Sequence, residues 1–461
     1  MTDPKPTVTA AWDALRALPI STLSALFEGD AGRVEALTHR IEWRGAEGEP
    51  TGMRIDFSKT HLDSETLDRF EALAQASGFA EAREALFSGG IVNVTEGRAA
   101  NHGAMRGSGS EADTEEAGAL LARMSMLVEA IHEGAFGPIK HLIHIGIGGS
   151  ALGPALAVDA LTRDLAKVDV HVVSNIDGLA LEQAFAACDP HTTLIAVASK
   201  TFTTIETMTN AQSALSWLEK EGVEDPSGRV VALTASPEKA VEWGVDETRI
   251  LPFPESVGGR YSLWSSIGFP VALAIGMTEF REFLMGAHAM DVHFREAEGR
   301  GNAPLLAAFA DQYYSCLRGC QTRAVFAYDE RLALLPDYLQ QLEMESNGKS
   351  VTASGEPVEG PTAAITWGGV GTDAQHAVFQ LLHQGTHLVP VDFIASVAPG
   401  DDLDPAHHRT LLTNCFAQGA ALMAGGNMSA DGKDPARSFA GDRPSSVFLI
   451  DDLDPSSLGA L

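Results

Sequence analysis

Ser199, Thr201, Thr203 and Thr204 crowd the stretch Ser199-Lys200-Thr201-Phe202-Thr203-Thr204-Ile205-Glu206-Thr207, which follows the apolar run Leu194-Ile195-Ala196-Val197-Ala198 and opens a helical pattern reaching Trp217. At a strand-to-helix junction the first backbone N–H groups have no partner inside the helix, and the positive end of the dipole favours an anion. Small hydroxyls add donors without blocking the approach, so the stretch reads as a phosphate seat. Thr203 and Glu206 equally fit a capping box, the ordinary use of such residues at a helix start. A second junction, Gly146-Ile147-Gly148-Gly149-Ser150-Ala151-Leu152-Gly153-Pro154, leaves another apolar strand. Glycines there allow a sharp turn and close backbone approach to a ligand. Gly146, Gly148 and Ala151 match a loose dinucleotide spacing, but the next strand ends in Val173-Ser174-Asn175 with Asp177 close by. The ribose-binding acid is absent from its expected place, so a sugar or phosphate loop fits better.

Three further groups could move protons or stabilise charge. Arg260, in Val257-Gly258-Gly259-Arg260-Tyr261-Ser262, puts a planar bidentate donor on a flexible lead. It suits a phosphate or an oxyanion, or one of the many surface carboxylates. Gln341 and Glu345 lie four residues apart in a helical pattern that begins near 332 and stops at Asn347-Gly348. They share one face, where Glu345 is a candidate general base or a solvated carboxylate. His376 falls at or near the start of a helix expected over 378–383. The dipole there disfavours the imidazolium, and a neutral imidazole suits proton exchange with a sugar oxygen; a structural role is the alternative.

Alternating strand and helix signals position these groups. Strands are expected at 141–145, 168–173, 194–198 and 230–233, after a helix at 115–133. A second block follows a helix at 278–298, with strands at 324–328, 363–367 and 387–394. Strands spaced by helices imply α/β architecture with doubly wound parallel sheets. Residues 1–110 read as a largely helical region with a short strand at 53–57, a helix start at Asp63-Ser64-Glu65-Thr66 and another helix at 79–87. The expected domains are therefore 1–110, 111–285 (phosphate binding) and 286–461 (proton transfer), with an exposed loop at 428–444.

Composition narrows the function classes. The 461 residues are 45% hydrophobic and 20% charged, with a formal net charge of −30. That acidity excludes a general nucleic-acid binder and obliges any phosphate site to rely on local donors. No apolar run approaches the roughly 18 residues of a membrane span. Met1-Thr2-Asp3-Pro4-Lys5-Pro6 lacks the basic-then-apolar order of a secretory leader. Cys188, Cys316, Cys320 and Cys415 suit reduced thiols in a cytoplasmic protein. Cys316 and Cys320 share a helical face, but no His or Cys pair beside them completes a zinc site, and no metal is expected.

Together these stretches resemble the glucose-6-phosphate isomerase family along nearly the whole chain. The marks are Gly146 to Pro154, Ser199 to Thr207, Val257 to Pro270, Met344 to Lys349 and Gly371 to Thr386, with Asp56-Phe57-Ser58-Lys59, Asn93 to Arg106 and Gly441-Asp442-Arg443-Pro444-Ser445. The resemblance implies two SIS-type α/β domains with helical arms. The implied activity interconverts glucose 6-phosphate and fructose 6-phosphate through a cis-enediol, without metal or redox cofactor. It implies Ser150, Ser199, Thr201 and Thr204 as phosphate contacts with Lys200 beside them, and Gly149 and Gln341 as substrate contacts. Glu345 is the implied base, Arg260 the cation stabilising the enediolate, and His376 the ring-opening group, supplied across a homodimer interface. A non-catalytic sugar-phosphate sensor is the alternative, against which the pairing of Glu345 with Arg260 argues.

Three departures from the family pattern stand out. Ala151 replaces the usual Asp, and Gly369-Val370-Gly371-Thr372-Asp373-Ala374 replaces a Glu-Pro-Gly-Thr-Asn-Gly segment. The sequence ends at Ser457-Leu458-Gly459-Ala460-Leu461, inside a motif that family members continue into a Gln- and Lys-bearing segment. The expectation is an incomplete or shortened isomerase, impaired in ring opening unless His376 suffices.

Overall fold

The computed structural model describes residues 7–45, 48–163, 166–429, 432 and 434–461. Met1 to Pro6 and, within the expected loop, Ala430, Asp431 and Lys433 lie outside the described residues. The chain forms two compact units: Ala85–His288 with Asp454–Leu461, and the residues up to Glu84 with Ala289–Leu453. The first 110 residues, expected as one helical region, are thus divided between both.

Numbered along the chain, the strands begin with β1 (Thr38–Arg44), β2 (Pro50–Asp56), β3 (His141–Gly146), β4 (Asp169–Val173) and β5 (Thr193–Ala198). Next come β6 (Val230–Thr234), β7 (Ile250–Pro252), β8 (Thr322–Tyr328) and β9 (Ile365–Val370). The last are β10 (Val391–Ser396), β11 (Gly426–Asn427), β12 (Ser438–Phe439) and β13 (Ser445–Ile450).

The unit around Ala85–His288 holds an all-parallel sheet in the order β4-β3-β5-β6-β7. Every residue of β5 and β6 is buried. This is why both strands read as unbroken apolar runs rather than alternating ones. On one face Ile143, Ile145 and Ile195 pack with Leu181, Ala211 and Leu218 from the helices Gly178–Ala187 and Ile205–Lys220. Among the described residues no helix is long and apolar enough to cross a membrane.

The other unit carries a sheet in the order β1-β2-β13-β10-β8-β9. Strands β13, β10, β8 and β9 run parallel, whereas β1 and β2 form a hairpin whose second strand pairs antiparallel with β13. The N-terminal region therefore supplies two strands to a sheet, not a single short one. Its pattern explains why: Ile41 and Trp43 are buried while Arg40, Glu42 and Arg44 are exposed, the period-2 signature of a half-covered strand. Strand β13 goes beyond the expected set. Within the expected loop, β11 and β12 pair as a small antiparallel ladder.

Candidate active site

Strands β3 and β5 are neighbours, with Gly146 opposite Ala198, so the loops leaving them are adjacent. An ideal Cβ on Gly146 would lie 2.7 Å from the Ser150 carbonyl oxygen and 3.2 Å from the Ala198 Cβ. Only glycine lets the first loop fold back on its own strand. Ser199 is buried at the end of β5, and the chain turns at Phe202, whose φ of +52° is a left-handed conformation uncommon for an aromatic residue. Its buried ring, edge-on to Trp243 at 6.0 Å, holds that turn.

The expected capping box does not form. The helix Ile205–Lys220 has Thr204 as its N-cap, without a side-chain cap bond. Thr203 thus lies one residue outside the cap, and Glu206 occupies the second helical position instead of the third. The hydroxyls pair with one another: Ser199 Oγ with Thr204 Oγ1 at 3.1 Å, and Thr201 Oγ1 with Thr203 Oγ1 at 2.8 Å. The helix Leu152–Thr162 likewise starts at Ala151 without a side-chain cap. Two helix starts without side-chain acceptors, on neighbouring loops and fringed by hydroxyls, offer an anion free backbone N–H groups.

The third loop is locked against the first. A Cβ on Gly149 would lie 2.1 Å from the Gly259 carbonyl carbon and 2.4 Å from the Arg260 nitrogen, so a bare backbone is required there. Lys200, expected beside the phosphate, donates instead to the carbonyl oxygens of Glu255 (2.7 Å) and Val257 (3.2 Å). It clamps the strand-end loop that leads to Arg260. The Arg260 guanidinium lies 5.0 Å over the Tyr261 ring, and His102 stacks on that ring at 4.6 Å. Burial, Arg106 and Arg260 push the His102 pKa down to about 3. A neutral imidazole therefore lies under a cationic, aromatic wall.

His144, in the middle of β3, holds the loop that carries Ser150, and the sequence alone did not single it out. Its Nε2–H donates to the Ser150 carbonyl at 2.7 Å, and burial lowers its pKa to about 4. The signal was a lone histidine within Leu142-Ile143-His144-Ile145, indistinguishable from a satisfied core residue without the loop partner.

In the other unit, Gln341 and Glu345 lie on the helix Leu335–Asn347, where Gln341 Nε2 donates to Glu345 Oε2 at 2.9 Å and Lys349 caps the Glu345 carbonyl at 2.6 Å. Glu343, roughly 200° around the same helix, faces the opposite way. Arg323 lies 3.5 Å from Glu343, 2.8 Å from Asp311 and 3.3 Å from Asp392. Burial opposes the Arg323 charge, but the three carboxylates outweigh it and raise its pKa. Burial pushes Asp392 up to about 6 and also raises Glu343. One helix face is thus bolted to the sheet through half-buried charges while the other presents Glu345.

His376 is exposed in the last turn of the helix Gly371–Ala377, not at the start of the helix Phe379–Gln384. The expected position at a helix start is therefore not the one observed, and the argument built on that start does not apply. Gly371 fits against Tyr328, whose ring would lie 2.5 Å from a Cβ there, and the Tyr328 hydroxyl donates to Gln375 Oε1 at 2.8 Å. Two motifs far apart in sequence also meet in this unit. The Ser445 N–H donates to the Lys59 carbonyl at 3.0 Å, and His61 Nε2 lies 3.0 Å from Asp442 Oδ1. Buried Arg33 donates to the carbonyls of Ser58 and Leu62, each at 2.8 Å, and to that of Thr60. These conspicuous residues are braces for loops.

The structure therefore gathers Gly149, Ser150, Ser199, Lys200, Thr201, Thr204 and Arg260 on one unit, and Gln341, Glu345 and His376 on the other. Known proteins give the arrangement its context. The curated glucose-6-phosphate isomerase of Erythrobacter litoralis is 73% identical over 457 residues, covering 98% of this chain and 88% of that protein. Its counterpart in Novosphingobium aromaticivorans is 67% identical over 450 residues, covering 98% and 87%. A crystal structure of a glucose-6-phosphate isomerase from Chlamydia trachomatis superposes with a TM-score of 0.87 at 29% identity, covering 98% of this chain and 88% of that one. The family model for phosphoglucose isomerase matches residues 56–461. With a match of that extent and relatives of that identity, the chain belongs to the phosphoglucose isomerase family.

Proposed function

We propose that this protein is an aldose–ketose isomerase that interconverts D-glucose 6-phosphate and D-fructose 6-phosphate. The observation that carries the phosphate half of this reading is the pair of side-chain-uncapped helix starts after β3 and β5, ringed by hydroxyls. There Ser150, Ser199, Thr201 and Thr204 hold the phosphate, Gly149 admits the substrate to bare backbone, and Lys200 fixes the loop carrying Arg260. Holding a remote phosphate orients C1 and C2 and contributes binding energy to the chemical step.

Once the ring has opened, the C2 proton remains a weak acid, so its removal needs a base and a means of stabilising the enediolate. Glu345 takes the proton from C2 and returns it to C1, a general-base contribution of about 10²–10⁴-fold. Arg260 stabilises the negative oxygen, an electrostatic contribution of several kcal/mol. Gln341, bonded to Glu345 in the free protein, exchanges that bond for substrate. His376, exposed at its helix end, opens the ring on the neighbouring subunit of a homodimer in the cytoplasm.

The test is a coupled assay in which fructose 6-phosphate yields glucose 6-phosphate. Glu345→Gln should lower kcat by about 10²–10⁴-fold while sugar-phosphate binding persists. Undiminished turnover in that variant would remove Glu345 from the role of base.

A further inference from the structure

The opposite edge of the parallel sheet carries chemistry that isomerisation does not use. His141 opens β3, Asp169 and His171 lie on β4, and Cys188 follows the helix Gly178–Ala187. The register pairs His141 with Asp169 and Ile143 with His171. Side chains two apart on a strand share a face, so His141, Asp169 and His171 point to one side. Cys188 belongs to the core cluster on that side, with Ile143 and Leu181. One ligand atom from each of His141, His171 and Cys188 lies within 4.8 Å of the other two.

Two observations mark this group as more than adjacent side chains. The His141 Nδ1 and His171 Nε2 atoms are buried and make no hydrogen bond. Buried polar nitrogens without partners are costly, and two of those found among the described residues meet in this one cluster. Asp169 Oδ2 lies 3.8 Å from His141 Nδ1, at the exposed side of the group. Burial and the neighbouring His141 hold the His171 pKa below its ordinary value. Burial pushes the Cys188 thiol up to about 11, so it is no nucleophile at neutral pH.

We propose that His141, His171 and Cys188 bind a zinc-class divalent cation, with the Asp169 carboxylate or a water as the fourth ligand. Two imidazoles and a thiolate suit a borderline-soft ion of tetrahedral preference and exclude magnesium or calcium, which take oxygen. Bonds of about 2.0–2.3 Å place tetrahedral ligand atoms roughly 3.3–3.8 Å apart, so closing the group requires movement of about 1 Å. The cation displaces the Cys188 thiol proton to solvent, and sulfur becomes its ligand. From His141 to Gly146, where the first phosphate loop leaves β3, the strand runs about 17 Å at roughly 3.3 Å per residue, so this site braces the opposite end of the strand. Chain spacing concealed it, because the ligands come from two strands and a helix end.

The full-length protein, stripped with chelator, is titrated with Co²⁺ as a spectroscopic probe and then with Zn²⁺. One equivalent of Co²⁺ should produce intense tetrahedral d–d bands and a thiolate-to-cobalt charge-transfer band, both removed by Zn²⁺. Cys188→Ser should abolish the charge-transfer band, whereas Cys316→Ser should leave it intact. His171→Gln should weaken Co²⁺ binding by more than about 100-fold, beyond the 10–100-fold of losing an outer-shell partner. Absence of the band in the unaltered protein overturns the proposal, as does its persistence in folded Cys188→Ser or undiminished affinity in His171→Gln. The stripped protein should retain isomerase turnover, which separates this outcome from the functional reading.

Discussion

The two sheets carry their candidate residues by opposite means. After β3 and β5 the anion seat is built from backbone N–H groups and hydroxyls, steadied by an uncharged histidine and by glycines that let three loops touch. On the helix Leu335–Asn347 the proposed base is steadied by a half-buried arginine among three carboxylates. A chain of net charge −30 repels a sugar phosphate as a whole. Oriented amides attract the anion locally without needing a buried charge of their own. Glu345 must instead keep a fixed direction on an exposed helix face, and the ion pairs on the opposite face supply that constraint. One group of candidate residues rests on backbone shape, the other on side-chain anchorage.

This contrast can be broken most severely at Arg323. Arg323→Met leaves Asp311, Glu343 and Asp392 without their cation, and in this half-buried network the loss should be about 3 kcal/mol, the low end for a buried pair. Urea unfolding should show that loss, and kcat should fall with little change in inhibitory phosphate affinity. A loss confined to phosphate affinity would contradict the anchoring role. The next test is acid. His144 has a folded pKa of about 4 against an ordinary value near 6.5. The unfolded chain therefore takes up a proton first, and this contribution to stability falls as pH drops from about 6.5 to 4, by about 3 kcal/mol in all. His144→Gln should flatten that part of the stability–pH curve; an unchanged curve would deny the neutral histidine its part in the seat.

Smaller effects sharpen the comparison. Ser199→Ala removes one hydroxyl from the seat, and a hydrogen bond to a charged group is worth about 1.5–3 kcal/mol. The Michaelis constant should rise roughly 10- to 100-fold with kcat less affected, the reverse of Glu345→Gln. Smallest of all, Ala151→Ser offers a side-chain cap where the helix Leu152–Thr162 has none, and should raise stability by about 1 kcal/mol in a thermal melt. A decrease would mean that the buried Ala151 position cannot accept a hydroxyl.

Much of the parallel-sheet unit was legible because its strands are short apolar runs between helices. Leu194 to Ala198 could hardly be anything else. The hydroxyl cluster and glycine loops were legible for the same reason: strand ends are where such residues gather. What sequence could not show was partnership across distance. His144 looked like any core histidine, Lys200 like a phosphate ligand, and His141, His171 and Cys188 like unrelated residues, because their partners lie many positions away. His376 was misplaced by a turn, since two short helices meet at Val378 and sequence pattern alone merges such boundaries. The N-terminal hairpin was obscured by polar residues on its uncovered face.

That hairpin has a consequence for how the protein is made. Its second strand, β2, pairs with β13, so the ribosome must pass from residue 56 to residue 445 before the matching edge exists. At about 5–20 residues per second this interval is roughly 20–80 s. Residues 85–288, the bulk of one sheet's unit, emerge wholly within it and can collapse on themselves during synthesis. The hairpin meanwhile waits with an open edge, a template for pairing with another nascent chain. Crowded polysomes, rather than the finished enzyme, are where this architecture is most exposed to error.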